Sequence, residues 1–297
     1  MRHFLRDDDL SAAEQAEVLA LAARYKKDPF GSVVGRPFAG PRTVAMIFDK
    51  PTLRTQASFA AGIAELGGYP MLVDGKLAGI GVRESIADVA RVLGRQASAI
   101  VWRTFAQTGL EEMAEHAGVP VVNALTDEFH PCQLLADLLT VQEHKGTLSG
   151  LKVAFLGDAA CNMGNSWALA GAIAGMQVSF GCPVGSAPAY GAAEVTDDPA
   201  AAVAGADVVV TDTWVSMGKE DEAEARRATF APYAVTSELL GHAAPDAIVL
   251  HCLPAYRGSE ISAEVLDGPQ SVVWDEAENR RHAQKAILAW LEAKSHE

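Results

Sequence analysis

Arginine and threonine side chains stand at two points where an apolar run of this sequence turns polar. Thr52, Arg54 and Thr55 follow the run TVAMIF (43–48) and begin a helical pattern. The first N–H groups of a helix favour an anion, and a guanidinium can hold two phosphate oxygens at once. Arg103 ends the apolar run AIVW, where a buried charge needs an anionic partner. These residues predict a phosphate site; a capping role for Thr52 and a structural ion pair for Arg103 are the alternatives.

A histidine and a glutamine flank a proline in the segment DEFHPCQ. His130 offers an imidazole donor, Pro131 fixes the turn, and Gln133 offers an amide. An imidazole and an amide at this spacing could hold a carbonyl oxygen and an NH2 group together. A lone histidine of purely structural role is the alternative.

A second group of polar residues has the chemistry to bind an amino acid. Asp212, Ser216 and Met217 follow the apolar run DVVVT, and Asn162 follows a Gly-Asp turn. A carboxylate, a hydroxyl and an amide suit the ammonium and carboxylate of an amino acid, although the same residues also cap helices. Cys252, in HCLP, places a thiol at the end of a buried strand, where it is either inert packing or a reactive group.

The composition excludes several classes of function. The chain has 297 residues, of which 49% are hydrophobic, and its net charge is −14. Such an acidic chain has no basic patch for nucleic acid or an anionic membrane surface, and no apolar run is long enough to cross a bilayer. The four cysteines form no CxxC pair, and spacing excludes a zinc site, so we expect no metal and a cytoplasmic protein with reduced thiols.

Short apolar runs alternate with helical patterns along the whole chain. This alternation predicts an α/β fold with two doubly wound domains, each a parallel sheet flanked by helices. We expect domains at 1–133 and 134–278, with a last helix at 279–297 returning to the first domain. In doubly wound sheets ligands bind beyond the carboxyl ends of the strands. Six polar clusters lie at such ends and predict a cleft between the domains: KPTLRT, WRT, DEFHPCQ, GDAACNMGN, DTWVSMG and HCLPAYRG.

Taken in order, these clusters resemble the ornithine carbamoyltransferase (ornithine transcarbamylase) family of the aspartate/ornithine carbamoyltransferase superfamily. The most specific blocks are DEFHPCQ, DTWVSMG, and HCLPA followed by DEAENR, and the match runs from HFLRDDDL to ENRRHAQKA. The resemblance implies that the first domain binds carbamoyl phosphate and the second binds ornithine. Its implied site comprises Thr52, Arg54, Thr55 and Arg103 for the phosphate, His130 and Gln133 for the carbamoyl group, Asn162, Asp212, Ser216 and Met217 for the amino acid, and Cys252 and Arg280 at the reacting centre, with Leu53 and Leu253 completing the substrate-binding set.

The reaction implied by the resemblance joins a carbamoyl group to the side-chain amine of L-ornithine, giving L-citrulline and phosphate, a step of arginine biosynthesis. An amine with a pKa of about 10.4 must first lose a proton, and Asp212 and Cys252 are the candidates to orient it and accept that proton. Arg54, Arg103, Thr55 and His130 would stabilise the oxyanion. No cofactor is expected, because carbamoyl phosphate is already activated. The resemblance also implies a homotrimer in which the loop at 76–84 reaches a neighbouring copy.

The sequence departs from the family pattern near the chemistry. The phosphate motif reads Thr52-Leu53-Arg54-Thr55-Gln56 where the family has Ser-Thr-Arg-Thr-Arg, and further changes are Ala60, Gly79, Cys161 and Tyr256. These changes remove a hydroxyl and a cation from the phosphate side unless Lys50 or Arg83 replaces the cation. They also leave two alternatives open: another acceptor amine, such as an acylated ornithine, lysine or a diamine, or a catalytically weak homologue that binds an amino acid.

Overall fold

The computed structural model describes residues 1–192, 194–215 and 220–295. The chain divides into two units, of which the first comprises Met1–Leu139 with Glu278–Glu297 and the second Thr140–Ala277. The sequence placed this boundary after residue 133. Among the described residues, no helix combines the length and the apolar character needed to cross a membrane.

The first unit contains a four-stranded parallel sheet in the order β2-β1-β3-β4. Its central strands are buried along their length, as expected when helices cover both faces of a parallel sheet. The elements are α1 (Ala12–Lys27), β1 (Thr43–Phe48), α2 (Arg54–Glu65), β2 (Tyr69–Asp74), α3 (Gly75–Ala78), α4 (Ile86–Gln96), β3 (Ala99–Arg103), α5 (Gln107–Ala117), β4 (Val121–Leu125) and α6 (Pro131–Lys145).

The core of this unit explains why the ends of β1 and β3 come together. Ile47 and Ile100 from the two strands pack with Trp102, Leu110 and Met113 in one buried cluster. The two strands are paired in parallel, with Phe48 opposite Arg103. Packing and register therefore bring the segment after β1 next to the cation that ends β3.

The second unit contains a five-stranded parallel sheet in the order β7-β6-β5-β8-β9. Leu156, Val209 and Val249, from its three consecutive strands β5, β8 and β9, share one buried cluster. The remaining elements of the chain are β5 (Lys152–Leu156), α7 (Asn162–Ile173), β6 (Gln177–Gly181), β7 (Glu194–Thr196), α8 (Pro199–Val203), β8 (Val208–Thr211), α9 (Ala223–Phe230), α10 (Ser237–Leu240), β9 (Ile248–His251), α11 (Ala263–Leu266) and α12 (Val273–Lys294).

The predicted fold class is confirmed, since both sheets are parallel and flanked by helices. Two details differ from the expectation. The last helix begins at Val273, several residues before the predicted start at 279, and Glu194–Thr196 adds a short edge strand that was not predicted. Three residues with exposed or half-buried side chains carry too little apolar alternation to signal a strand.

Candidate functional site

In the first unit, the helix after β1 presents its amino-terminal end without a side-chain cap. Helix α2 starts at Arg54, its N-cap position is occupied by Leu53, and no side chain caps it. Leu53 is 78% exposed, whereas Thr55 is buried. The structure therefore does not use Thr52 as the N-cap residue, and the amino-terminal end of α2 carries the partial positive charge that favours an anion.

Four cations of this unit act on one buried imidazole. Burial lowers the pKa of His130 well below its usual range, and the charges of Arg280, Arg103, Arg54 and Lys50 lower it further. The imidazole is therefore neutral at physiological pH, and it can donate one hydrogen bond and accept another. Several cations around a neutral group form an environment that favours an anion such as a phosphate.

Arg280 connects two of the predicted site residues. Its guanidinium donates to Oε1 of Gln133 and to Oγ1 of Thr55, the latter at 3.4 Å. All three side chains are buried, with exposed fractions of 3% or less. The structure thus brings Gln133, the start of α2 and Arg280 together within the first unit, although they are distant in sequence.

Lys50 is a cation of the same environment that the site prediction named only as a possible replacement. Its side chain is 6% exposed and pairs with the carboxylate of Asp127, whose side chain is 61% exposed. The ammonium also lies 4.6 Å from the centre of the Phe105 ring, a cation–π contact. The Lys50 side chain is thus buried, whereas the carboxylate that pairs with it remains largely exposed to water.

In the second unit, Asp212 and Cys252 meet at the ends of neighbouring strands. The Cys252 thiol donates to Oδ1 of Asp212 across 3.1 Å, and the Thr213 N–H donates to the same oxygen across 2.7 Å. Burial raises the pKa of the Asp212 carboxyl, while the neighbouring His251 and these two hydrogen bonds act in the opposite direction. A carboxylate with a raised pKa is better suited to accept a proton.

A buried network behind this pair holds the backbone around Cys252. The N–H of Leu253 donates to Nδ1 of His251 at 2.9 Å, so Nε2 carries the imidazole proton and faces Glu260 Oε1 at 3.2 Å. The N–H of His251 donates to Glu276. Leu253 has a φ of 59°, in the left-handed region, which costs a non-glycine residue about 1–3 kcal/mol. Observed strain at this position marks a backbone that its neighbours hold in place.

Glu260 and Glu276 were not among the predicted site residues. The signal for Glu276 lay in the block DEAENR, which supplied only Arg280 to the prediction. No sequence motif surrounds Glu260. The structure shows that its side chain is buried, with 1% exposed, and that it contacts the His251 imidazole.

The remaining predicted residues of the second unit lie at the start of α7 and in the loop after β8. Asn162 is the first residue of α7, and Cys161 caps that helix by accepting from the Gly164 N–H through its sulfur. Ser216 and Met217 lie outside the described residues.

The side chains of Asp212, His251 and Cys252 carry ligand-type atoms within 4.8 Å of one another. Such a group could in principle hold a divalent cation. Both imidazole nitrogens, however, already face the Leu253 N–H and Glu260. The contacts are therefore those of a hydrogen-bonded network that positions the carboxylate and the thiol.

The chain matches two family models. Residues 2–143 match the aspartate/ornithine carbamoyltransferase carbamoyl-P binding domain, and residues 149–291 match the Asp/Orn binding domain of the same family. The ornithine carbamoyltransferase of Clavibacter michiganensis is 58% identical over 98% of both chains, and that of Renibacterium salmoninarum is 56% identical over 99% of both.

Solved structures agree with these matches. The ornithine carbamoyltransferase of Pyrococcus furiosus superposes with a TM-score of 0.92 at 42% identity, covering 97% of this chain and 96% of that one. The anabolic enzyme of Campylobacter jejuni gives a TM-score of 0.92 at 34% identity, covering 99% and 100%. The fold and the sequence therefore point to the same family over nearly the full length.

Proposed function

This chain belongs to the aspartate/ornithine carbamoyltransferase family, and from that premise we propose that it transfers the carbamoyl group of carbamoyl phosphate to the side-chain amine of L-ornithine, giving L-citrulline and phosphate. The observation that carries the proposal is the contact of the Arg280 guanidinium with Gln133 and Thr55, in the unit matched by the carbamoyl-P binding model. Arg280 and three further cations also lower the pKa of the neighbouring functional residue His130. Carbamoyl phosphate is an anion with a polar acyl group, and this environment offers both charge and hydrogen-bonding partners for it.

We assign the first unit to carbamoyl phosphate. The start of α2 with Arg54 and Thr55 would hold the phosphate together with Arg103. His130 and Gln133 would hold the carbamoyl group, with Arg280 between Gln133 and Thr55. In the transition state negative charge grows on the carbamoyl oxygen, and donors that are already in place stabilise it without reorganisation.

We assign the second unit to the amino acid. Asp212 would bind the side-chain amine of ornithine, and the Cys252 thiol would hold the Asp212 carboxylate in place by its hydrogen bond. Asn162 and the predicted residues Ser216 and Met217 would bind the α-amino acid end of ornithine. This assignment rests on the matched Asp/Orn binding domain and on the network around Asp212.

In the reaction, the lone pair of the neutral amine forms a bond to the carbamoyl carbon. The bond from that carbon to the phosphate oxygen then breaks, and phosphate leaves with the electron pair. One proton must leave the attacking nitrogen, and Asp212 accepts it, since burial raises the pKa of its carboxyl. Cationic side chains around His130 stabilise the departing phosphate.

A steady-state assay of the purified protein tests the proposal. Carbamoyl phosphate is supplied with L-ornithine, and citrulline and phosphate are measured in equal amounts. Parallel assays replace ornithine with lysine, an acylated ornithine or a diamine. Product from one of these amines but none from ornithine would reassign the acceptor, and no product from any amine would contradict the enzyme assignment.

We also propose a homotrimer. Leu72, Leu77 and Val82 are exposed by 59%, 82% and 93%, and with Phe105 they leave apolar surface around the 76–84 loop. A cavity of about 500 Å³ lined by residues of this loop adjoins Phe105. A closed ring of three copies would cover such a surface. Light scattering should give three times the chain mass, Val82→Asp should reduce it, and a stable, active monomer would contradict the trimer.

We further propose that the reaction serves arginine biosynthesis in the cytoplasm. The four cysteines are free, as is usual in a reducing compartment. The gene should restore growth without arginine to a bacterial strain that lacks its own ornithine carbamoyltransferase. Failure to do so while the purified protein makes citrulline would separate the activity from this role.

A further inference from the structure

A buried carboxylate lies one helical turn beyond Gln133. Asp137 is on α6, its side chain is fully buried, and its Oδ1 accepts from Nε2 of Gln133 at 2.8 Å. On the other side of the same amide, Arg280 donates to Gln133 Oε1. The amide of Gln133 is therefore held between a carboxylate and a guanidinium.

This arrangement permits only one orientation of the amide. An ionised carboxylate only accepts hydrogen bonds and a guanidinium only donates them. If the amide were flipped, its NH2 would face Arg280 and its oxygen would face Asp137, so two hydrogen bonds would be replaced by two repulsive contacts. Leaving buried polar groups unpaired in this way is unfavourable. Asp137 and Arg280 together thus fix where the Gln133 oxygen lies.

We propose that Asp137 is a positioning residue that turns the Gln133 oxygen toward the carbamoyl NH2. The site thereby selects carbamoyl phosphate over acyl phosphates that carry a methyl group in place of this NH2. The inference rests on the proposed function, in which Gln133 contacts the carbamoyl group. A carbonyl oxygen has two lone pairs, so Oε1 can accept from Arg280 and from a carbamoyl NH2 together. A methyl group offers no donor, so Oε1 would keep its bond from Arg280 but lose the bond from the ligand.

Two stable ligands of matched shape test the selection without turnover. Phosphonoacetamide carries an NH2 where acetonylphosphonate carries a methyl group, and both keep the phosphonate and the carbonyl. One lost hydrogen bond to a buried acceptor typically weakens binding by about 10- to 100-fold, so the wild type should prefer the amide by roughly that ratio. Inorganic phosphate, which has neither the carbonyl nor the NH2 or methyl group, serves as the control ligand.

Calorimetric titrations of four variants, each compared with the wild type, then isolate the role of Asp137. Asp137→Asn can present either a donor or an acceptor to Gln133, so the preference for the amide ligand should fall at least about fivefold while phosphate affinity changes little. Gln133→Leu should abolish the preference. Asp137→Asn added to Gln133→Leu should then have no further effect on it, because residues that act through each other are not additive. The exposed Asp88→Asn should leave the preference unchanged.

The outcomes separate the possibilities. An unchanged preference in Asp137→Asn, or an equal loss of affinity for all three ligands, overturns the positioning role and leaves Asp137 structural. If Asp137→Asn does not fold, Asp137→Ser makes the same test, since a hydroxyl also donates or accepts, and Asp137→Glu should retain the preference. A wild-type protein that binds neither phosphonate and makes no citrulline would instead contradict the proposed function itself.

Discussion

The ion pair of Lys50 and Asp127 is unequally exposed, and this inequality predicts opposite effects for substitutions at its two ends. The Lys50 side chain is 6% exposed and belongs to the cations around His130, whereas the Asp127 side chain is 61% exposed. A bound phosphate group and the Asp127 carboxylate would compete for the same ammonium. Removing the cation should weaken carbamoyl phosphate binding, and removing the competing carboxylate should strengthen it.

The expected magnitudes follow from the two environments. A hydrogen bond from a largely buried ammonium to an anion contributes about 1.5–3 kcal/mol, so Lys50→Met should weaken carbamoyl phosphate binding by roughly 10- to 150-fold. A pair with one end in water contributes about 0.2–1 kcal/mol. Asp127→Asn should therefore tighten binding by no more than about fivefold, because it releases only that smaller interaction.

Calorimetric titration with carbamoyl phosphate measures both variants under one set of conditions. Arg91→Met and Asp88→Asn remove the same charges from an exposed pair of the same unit and control for net charge. Repeating the titrations at higher salt should shrink the effect of Asp127→Asn more than that of Lys50→Met, since exposed charges are screened first. The reasoning is refuted if both substitutions weaken binding alike, because the pair would then be purely structural.

Three further predictions address the chemistry. Asp212→Asn should lower kcat/KM about 10²- to 10⁴-fold and yet raise thermal stability at pH 8, because the pKa of the Asp212 carboxyl is raised in the folded protein. The gain in stability should vanish as the pH falls below the pKa of this carboxyl in the unfolded chain. A variant with normal turnover would remove Asp212 from the mechanism. The His130 ring should show no NMR titration between pH 6 and 8, since its pKa is lowered well below the usual range; a titration midpoint near 6.5 would contradict this. Restoring the family pattern with Leu53→Thr, Gln56→Arg and Ala60→Glu should tighten carbamoyl phosphate binding by about ten-fold or more, and unchanged affinity would show that the wild-type site is not weakened.

Much of the fold could be predicted because parallel sheets leave a strong local signal. The central strands are buried on both faces, so each is a short, nearly continuous apolar run, and polar residues follow abruptly at the end. The same change from apolar to polar residues at strand ends identified Arg103, Asp212 and Cys252 as candidate site residues. Edge strands and short helices lack this contrast, which is why Glu194–Thr196 was missed.

The contacts that hold the site could not be predicted, because their partners are distant in sequence and individually ordinary. Asp137 reads as one polar residue in a helix, and only the fold reveals that Gln133 and Arg280 lie beside it. Glu260 likewise becomes informative only through its contact with buried His251. A sequence pattern identifies residues that could touch a ligand, but it gives no sign of which residues orient them.

The departures from the family pattern also acquire different physical meanings in the structure. Gly79 lies at the end of α3 with a φ of 65°, and a Cβ at this position would meet the Arg83 Cβ at 2.9 Å, so the backbone itself favours glycine there. Gln56 and Ala60 are one turn apart on α2, and both are half-buried, so neither position brings a charge to the first turns of this helix. Lys50 meanwhile keeps a fourth cation among those acting on His130. Cationic character is thus retained around the imidazole although the fifth position of the phosphate motif is uncharged, and this is the physical basis for expecting carbamoyl transfer from a chain with an altered motif.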